Sequence, residues 1–580
     1  MKGVLNFRVL PVLRWFLLLL TLLGGGWLID RAGRATPGDH VVVGSLALTC
    51  FVLALLVGLH PGLRAHHDRR RDVSRRVRVF FWTAGILLLP WATLQQLFGS
   101  YNFSAVLFTV QEGMGSQLDT WLILPGVVSF FLVIVFLHLG QSGLRRLPQP
   151  ALSLVAAGIG MLAINPLHVF LFQISVWDRF FPVDPIHPAF SPVEITAEPE
   201  RPLNLVLVFL EGTEATYGAR GLFGDAYEPL RRMGEGGRVF EGVEQIESIG
   251  HSIAGMVAAQ CGLPLVPRGL MPTKRAARRG GDFLPGHFCL GDVLSDRGYT
   301  AEFLVGAAVD YGGIERFYGL HGFDRIIGLR DLRPPPPGAG HRPPPPSPPP
   351  PPPGAGHRPP PPPPPPGPGR RHAGPPHELM RWGVHDSVVY EAALDRAAAL
   401  SAAGAPWALV IETIGPHGPD AFLSPPCRGP GEGPTHKDIL RGVRCLAELT
   451  EDFVARLFAI SPPEDTLVVL VSDHLAHKMV SATPQLSKLE RHNTAIFLGA
   501  GQAPGRTGTP GSMLDIYPTI LESLGYGLAG SQAGMGVSLL QPGHETLVGQ
   551  LGTAEIDRRL ARDADLSAII WQGPDALATE

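Results

Sequence analysis

Five long apolar stretches crowd the first 175 residues, and nothing constrains the fold of this 580-residue chain more. They run at Leu10–Ile29, Val41–Leu59, Phe80–Phe98, Trp121–Leu139 and Leu152–Phe172. Each approaches the ~20 residues that a helix needs to cross a hydrocarbon core of about 30 Å. They account for a mean hydropathy of +0.15, high for a soluble protein. Arg14 sits near one end of the first stretch, where its stem can reach the headgroups. A cleaved signal peptide is the rival for that stretch, but no small-x-small site precedes the further spans. The expectation is a helical membrane domain over residues 1–175.

Charge sets its orientation. Arg64–Arg78 holds seven arginines against two aspartates, and Arg145 and Arg146 follow the fourth stretch. The loop Gly99–Thr120 has neither Lys nor Arg. Positive loops stay cytoplasmic, which puts the amino terminus inside and everything after about Gln173 outside. Four of the five cysteines, Cys261, Cys289, Cys427 and Cys445, fall in that outer half, where disulfides persist. Four cysteines allow three pairings, and closing the shorter loops joins Cys261 to Cys289 and Cys427 to Cys445. Buried free thiols are the alternative; a metal cluster is disfavoured because no pair has CxxC-like spacing. A net charge of −3 with 17% charged residues disfavours a nucleic-acid binder with a strongly basic face.

Residues 176–200 read as a linker, since Pro182, Pro185, Pro188, Pro192 and Pro199 forbid a regular helix. Residues 201–580 read as one extracytoplasmic domain. Apolar runs at Asn204–Leu210, Trp407–Glu412, Thr466–Ser472 and Thr494–Leu498 alternate with helix-like stretches such as Asp386–Ala402 and Asp438–Ile460. Continuous apolar strands between amphipathic helices indicate an α/β domain whose largely parallel central sheet is covered on both faces. An insert at 333–376 interrupts the pattern, with 25 prolines between Pro334 and Pro376 and the repeat Gly-Ala-Gly-His-Arg at 338–342 and 354–358. Such a segment cannot bury apolar area and reads as a tolerated surface insertion, stiff or disordered.

Ligands in open α/β sheets bind beyond the carboxyl ends of the strands. Glu211 follows the first apolar run, Thr413-Ile-Gly-Pro-His417 the second, and Asp473-His474-Leu-Ala-His477 the third. Carboxylate and imidazole donors converging at one sheet edge suit a divalent cation. Gly250-His251-Ser252 then leads into a helix of small residues. Ser252 is either a plain helix cap or a hydroxyl nucleophile at a helix amino end, where N–H groups favour phosphate. A Ser-His-Asp hydrolase fails on context, because no Gly-x-Ser-x-Gly elbow follows a strand.

These motifs resemble the alkaline-phosphatase/sulfatase superfamily. The carriers are Asn204…Glu211-x-Thr213-Glu214-x-Thr216-Tyr217, the run Ser252–Pro264, His417 and Ser472-Asp473-His474. Within it the chain is similar to the membrane-anchored phosphoglycerol transferases, of both the lipoteichoic-acid and the periplasmic-glucan type. That likeness extends to Phe288-Cys-Leu-Gly-Asp292, Phe317–Asp324, Trp382-Gly383 with Asp386, and Asp515-Ile-Tyr-Pro518, and to Ser104–Phe108 and Leu124-Pro-Gly126 in the membrane half. The resemblance implies a sulfatase-like fold with Glu211, Asp473 and His474 as metal ligands. It makes Ser252 both nucleophile and fourth ligand, where the family usually has threonine, and His417 a contact to the phosphoryl group and a general acid. It also implies the pairs Cys261–Cys289 and Cys427–Cys445. His251, Trp382 and Arg491 are expected along the substrate cleft, and His477 and His385 at the surface.

The activity implied is transfer of phosphoglycerol from phosphatidylglycerol to an extracytoplasmic glycan, such as a periplasmic glucan, through a glycerophospho-Ser252 enzyme. Mn²⁺ is the expected ion, with Zn²⁺ or Mg²⁺ as alternatives, and the expected location is a bacterial inner membrane with the catalytic domain in the periplasm. Phosphoethanolamine transfer to lipid A or glucan is one rival. An inactive membrane sensor or scaffold is the other. A formylglycine sulfatase is disfavoured because Ser252 is followed by Ile-Ala-Gly-Met and not by x-Pro-x-Arg.

Overall fold

The computed structural model describes residues 74–87, 131, 134–135, 137–144, 150–163, 183–266, 283–333 and 382–579, except 479 and 542. The first two apolar stretches and residues 334–376 of the proline insert lie outside these residues. Parts of the other three stretches are helical, at Arg75–Ile86, within 131–144 and at Pro150–Ala163. Phe81, Leu137, Leu144 and Leu154 form their common core. Gly85 faces Leu137 and Gly158 faces Phe80 at distances a Cβ would fill. Among the described residues no helix is long and apolar enough to cross a membrane.

The rest is built on an eight-stranded sheet. Its strands are β1 (Asn204–Leu210), β2 (Arg238–Phe240), β3 (Thr300–Val305), β4 (Arg325–Ile327), β5 (Trp407–Glu412), β6 (Thr466–Ser472), β7 (Ala495–Gly499) and β8 (Gly505–Thr507). Their order is β8-β2-β7-β6-β1-β5-β3-β4. Five neighbours, β6, β1, β5, β3 and β4, run parallel, and β7 is antiparallel to β6 and to β2. The largely parallel sheet anticipated from the apolar runs is therefore present, with one reversed strand inserted in it. Three expected strands match residue for residue, and the fourth is displaced by one residue.

Alternation in β1 explains why the run is apolar throughout. Leu205, Leu207 and Phe209 enter a core that includes helix α1 (Ser252–Cys261), while Val206, Val208 and Leu210 enter a second core under α2 (Asp386–Ala403) and α3 (Ile439–Ile460). A strand with helices on both faces has no solvent side and needs no polar alternation. A fourth helix, α4 (Ile516–Ser523), packs beside α1.

The described part of the expected linker contains no α-helix, but it does not stand clear of the domain. Asp563 Oδ2 accepts from the backbone N–H groups of Ile186 and His187, each at 2.7 Å. Ile195–Ala197 pairs as a strand with Gly527–Leu528. Proline removes helix donors but leaves carbonyls and neighbouring N–H groups able to dock. Both disulfides are formed. Cys261–Cys289 ties the end of α1 to the helix Leu290–Ser295, and Cys427–Cys445 ties the segment after β5 to α3.

Candidate active site

Three adjacent parallel strands, β6, β1 and β5, deliver their carboxyl ends to one place. Ser472 pairs with Leu210 and Phe209 with Glu412, so the next residues, Asp473 and Glu211, emerge side by side. Hydrogen bonds fix these turns. The Glu211 N–H donates to Thr413 Oγ1 at 3.0 Å, and that hydroxyl donates to the Phe209 carbonyl at 3.1 Å. Asp473 Oδ1 accepts from the N–H groups of Gly212 (2.9 Å) and His474 (2.8 Å). Gly212 has φ +52°, a left-handed conformation natural to glycine.

The hydroxyl comes from the opposite side. His251, in extended conformation, caps α1, and Ser252 is its first helical residue. The Ser252 side chain hydrogen-bonds Glu211, so its hydroxyl serves the site. Close approach of helix and sheet depends on Gly255, where a Cβ would lie 1.8 Å from the Asp473 carbonyl oxygen.

Burial and mutual repulsion dominate the electrostatics. Glu211 and Asp473 are 2% and 0% exposed. Burial first, then the charges of Asp473 and Asp386, push the Glu211 carboxyl well above its usual range, and the bond from Ser252 opposes the shift. Burial, then the neighbouring imidazole of His474, pulls His251 down to about 4. Burial and the surrounding imidazoles likewise hold His477 well below its usual range.

The donor set fits a divalent cation. The Leu475 carbonyl, 2.8 Å from His474 Nδ1, can only accept, so Nδ1 carries the proton and Nε2 the lone pair. That Nε2 lies 3.1 Å from Asp473 Oδ2 and 3.6 Å from Glu211 Oε1. Asp473 Oδ2 is buried without a hydrogen-bond donor. Carboxylate oxygens and an imidazole lone pair facing one another leave a cation as the natural partner. The structure thus brings Glu211, Asp473 and His474 together, with Ser252 beside Glu211.

His417 stands on the loop after β5. Its Nδ1 lies 3.1 Å from the Gly418 carbonyl, and its ring centre is 4.7 Å from that of Trp382. Asp386 holds the loop by accepting from the N–H groups of Ile414 (2.8 Å) and Gly415 (2.9 Å). Arg491, expected along the cleft, pairs with the buried Glu214 through Nε at 3.0 Å and through NH2, which also donates to the Ala476 carbonyl at 2.8 Å. It thereby pins the loop that carries His474 and His477.

Two expectations are corrected. His477 is not a surface histidine: it is half-buried, its ring centre 4.5 Å from that of His474 and 6.0 Å from that of His417. His385 is 2% exposed and bonds Arg428 at 2.9 Å. Arg491, Glu214 and Ala476 tie down the loop that carries His477, and His385 sits at the N-cap of α2 where Arg428 meets it. The sequence reading also missed Glu412. One oxygen each of Glu211, Glu412 and Asp473 lies within 4.8 Å of the others, as do ligand atoms of Glu211, His474 and His477. A signal was available, since Glu412 is the one charged residue ending the apolar run of β5.

Residues 204–526, more than half of the chain, match the Sulfatase family. The chain belongs to the sulfatase family. Among individual proteins it is 28% identical over 468 residues to phosphoglycerol transferase I of Xanthomonas euvesicatoria pv. vesicatoria, covering 78% of this chain and 60% of that protein. It is 28% identical over 433 residues to phosphoglycerol transferase I of Escherichia coli O6:K15:H31, covering 73% and 51%. The chain therefore matches only 51–60% of the length of these relatives. A solved alkaline phosphatase superfamily protein from Vibrio parahaemolyticus aligns with TM-score 0.44 and 18% identity over 61% of this chain and 73% of that one.

Proposed function

We propose that the protein transfers phosphoglycerol from phosphatidylglycerol to a glycan hydroxyl on the outer side of a bacterial inner membrane. The observation that carries this reading is the Ser252 hydroxyl, bonded to buried Glu211 at the amino end of α1, beside Asp473 and His474. Similarity to proteins named phosphoglycerol transferase I supports glycerol as the headgroup. Glu211, Asp473, His474 and Ser252 would hold the divalent ion, which when bound lowers the hydroxyl pKa and neutralises phosphoryl charge.

Ser252 Oγ attacks the phosphorus, the bond to the diacylglycerol oxygen breaks, and the serine proton ends on that oxygen. A carbonyl beside His417 Nδ1 assigns the ring proton to Nδ1 and leaves the Nε2 lone pair to take the proton that Ser252 gives up and pass it to the leaving oxygen. N–H groups at the start of α1 favour the bound phosphodiester. The acceptor hydroxyl then attacks the same phosphorus, the bond to Ser252 Oγ breaks, and the acceptor's proton restores the serine hydroxyl. The apolar amino-terminal stretches would keep the site beside a lipid donor, and two disulfides suit an extracytoplasmic compartment.

Purified protein in phosphatidylglycerol vesicles with Mn²⁺ is expected to release diacylglycerol, and Ser252→Ala to abolish release. Release from phosphatidylethanolamine instead would move the chain to phosphoethanolamine transfer. No turnover of either lipid with any divalent ion would favour a scaffold.

A further inference from the structure

We infer that Glu412 is a further ligand of the cation centre, giving it an oxygen-rich donor set that prefers Mn²⁺ or Mg²⁺ to Zn²⁺. The inference rests on the cation-centre reading above. In β5, Leu409 and Ile411 enter the core under α2 and α3, whereas Ala408 and Val410 enter the core shared with α1. Glu412 continues the second set and so projects to the α1 side. Leu205, Leu207 and Phe209 of β1, and Leu467, Val469 and Val471 of β6, enter that same core. Glu211 and Asp473 continue those sets. Three neighbouring parallel strands thus send carboxylates of one parity to one face.

Glu412 is 3% exposed, its Oε2 has no hydrogen-bond partner, and one of its oxygens is within 4.8 Å of oxygens of Glu211 and Asp473. Burial at the strand end takes that oxygen out of bulk water. An acid so placed is costly to keep unless a cation meets it. Glu211, Asp473, His474 and Ser252 alone make four donors, the number Zn²⁺ favours. A fifth, anionic oxygen with room for a substrate oxygen moves the set toward six-coordinate, oxygen-rich binding, which suits Mn²⁺ and Mg²⁺.

The test is a titration of the full-length, metal-stripped chain with Mn²⁺, followed by electron paramagnetic resonance, and then by competition with Zn²⁺. Glu412→Gln keeps the shape and removes the anionic ligand. It is expected to weaken Mn²⁺ binding by about 10- to 100-fold, a range set by losses of supporting groups at metal sites. Zn²⁺ binding should fall less, so the Mn²⁺/Zn²⁺ preference drops. Glu412→Asp, which keeps the charge but shortens the reach, is expected to recover only part of the loss. Wild-type affinity and preference in Glu412→Gln, with Glu211→Gln still weakened, would overturn the inference and leave the centre standing. Full recovery in Glu412→Asp would also overturn it, showing that charge and not ligation matters. Unchanged Mn²⁺ binding in both Gln variants would overturn the cation-centre reading as well.

Discussion

Gly255→Ala is the sharpest probe of how the nucleophile is placed. The added Cβ would lie 1.8 Å from the Asp473 carbonyl oxygen, while ordinary van der Waals contact begins at 3.4 Å. Helix and strand would have to separate by about 1.6 Å, the difference between those distances. Asp473 cannot readily retreat, because its Oδ1 holds the N–H groups of Gly212 and His474. The movement therefore falls on α1. Ser252 lies three residues before Gly255 on one face of that helix and moves with it. A misplacement of about 1 Å can cost about 100-fold in rate, and overpacking of this kind costs about 1–3 kcal/mol in stability. The assay is initial diacylglycerol release from phosphatidylglycerol vesicles, with thermal melting in parallel. Gly221→Ala is the control, since nothing lies within 4 Å of its added Cβ. Turnover by Gly255→Ala equal to that of the control would refute the claim that this contact sets the position of Ser252.

Three other perturbations test supporting parts. Asp386→Asn cannot accept both loop N–H bonds, and should cost about 1–3 kcal/mol in melting measurements while lowering turnover through His417. Cys427→Ala with Cys445→Ala opens a loop of sequence separation 18 and should cost about 3 kcal/mol, read as a lower denaturation midpoint. The third concerns pH and the acid pair that joins the turn before α1 to the helix Thr553–Leu560. Burial, then the Asp557 charge, pushes Glu247 up to about 8, and burial pushes Asp557 up to about 7. A raised acid pKa means that the folded chain keeps protons the unfolded chain releases, so stability from this pair is fully present below the ordinary carboxylate range and falls as pH rises toward about 8. Asp557→Asn, whose amide oxygen can still accept from the Glu247 N–H, should flatten the melting temperature profile between about pH 4 and 8; an unchanged slope would exclude the pair as its source.

How much of this was legible beforehand depends on the range of the interaction involved. Strands β1, β5 and β6 announce themselves because a parallel strand enclosed by helices must be apolar at every position. Glu211, Asp473 and His474 could be read as strand-following residues, and Ser252 as a helix-start hydroxyl, from neighbouring sequence alone. The disulfide pairs agreed with the shorter loop closures. The charge that ends the apolar run of β5 marks Glu412 but does not say what it meets, and nothing local distinguishes His477 and His385 from exposed loop residues. Glu412 becomes a site residue only when β5 pairs with β1 in a register that sets its carboxylate beside two others. His477 does so only when Arg491 and Glu214 fold its loop inward, which also turns Arg491 from an expected cleft residue into the tie that holds the loop. The strands and the donors that follow them could therefore be read from the sequence, because pattern and spacing act along the chain. The tertiary structure decided which carboxylates and imidazoles share one buried volume, because electrostatic interaction depends on distance through space.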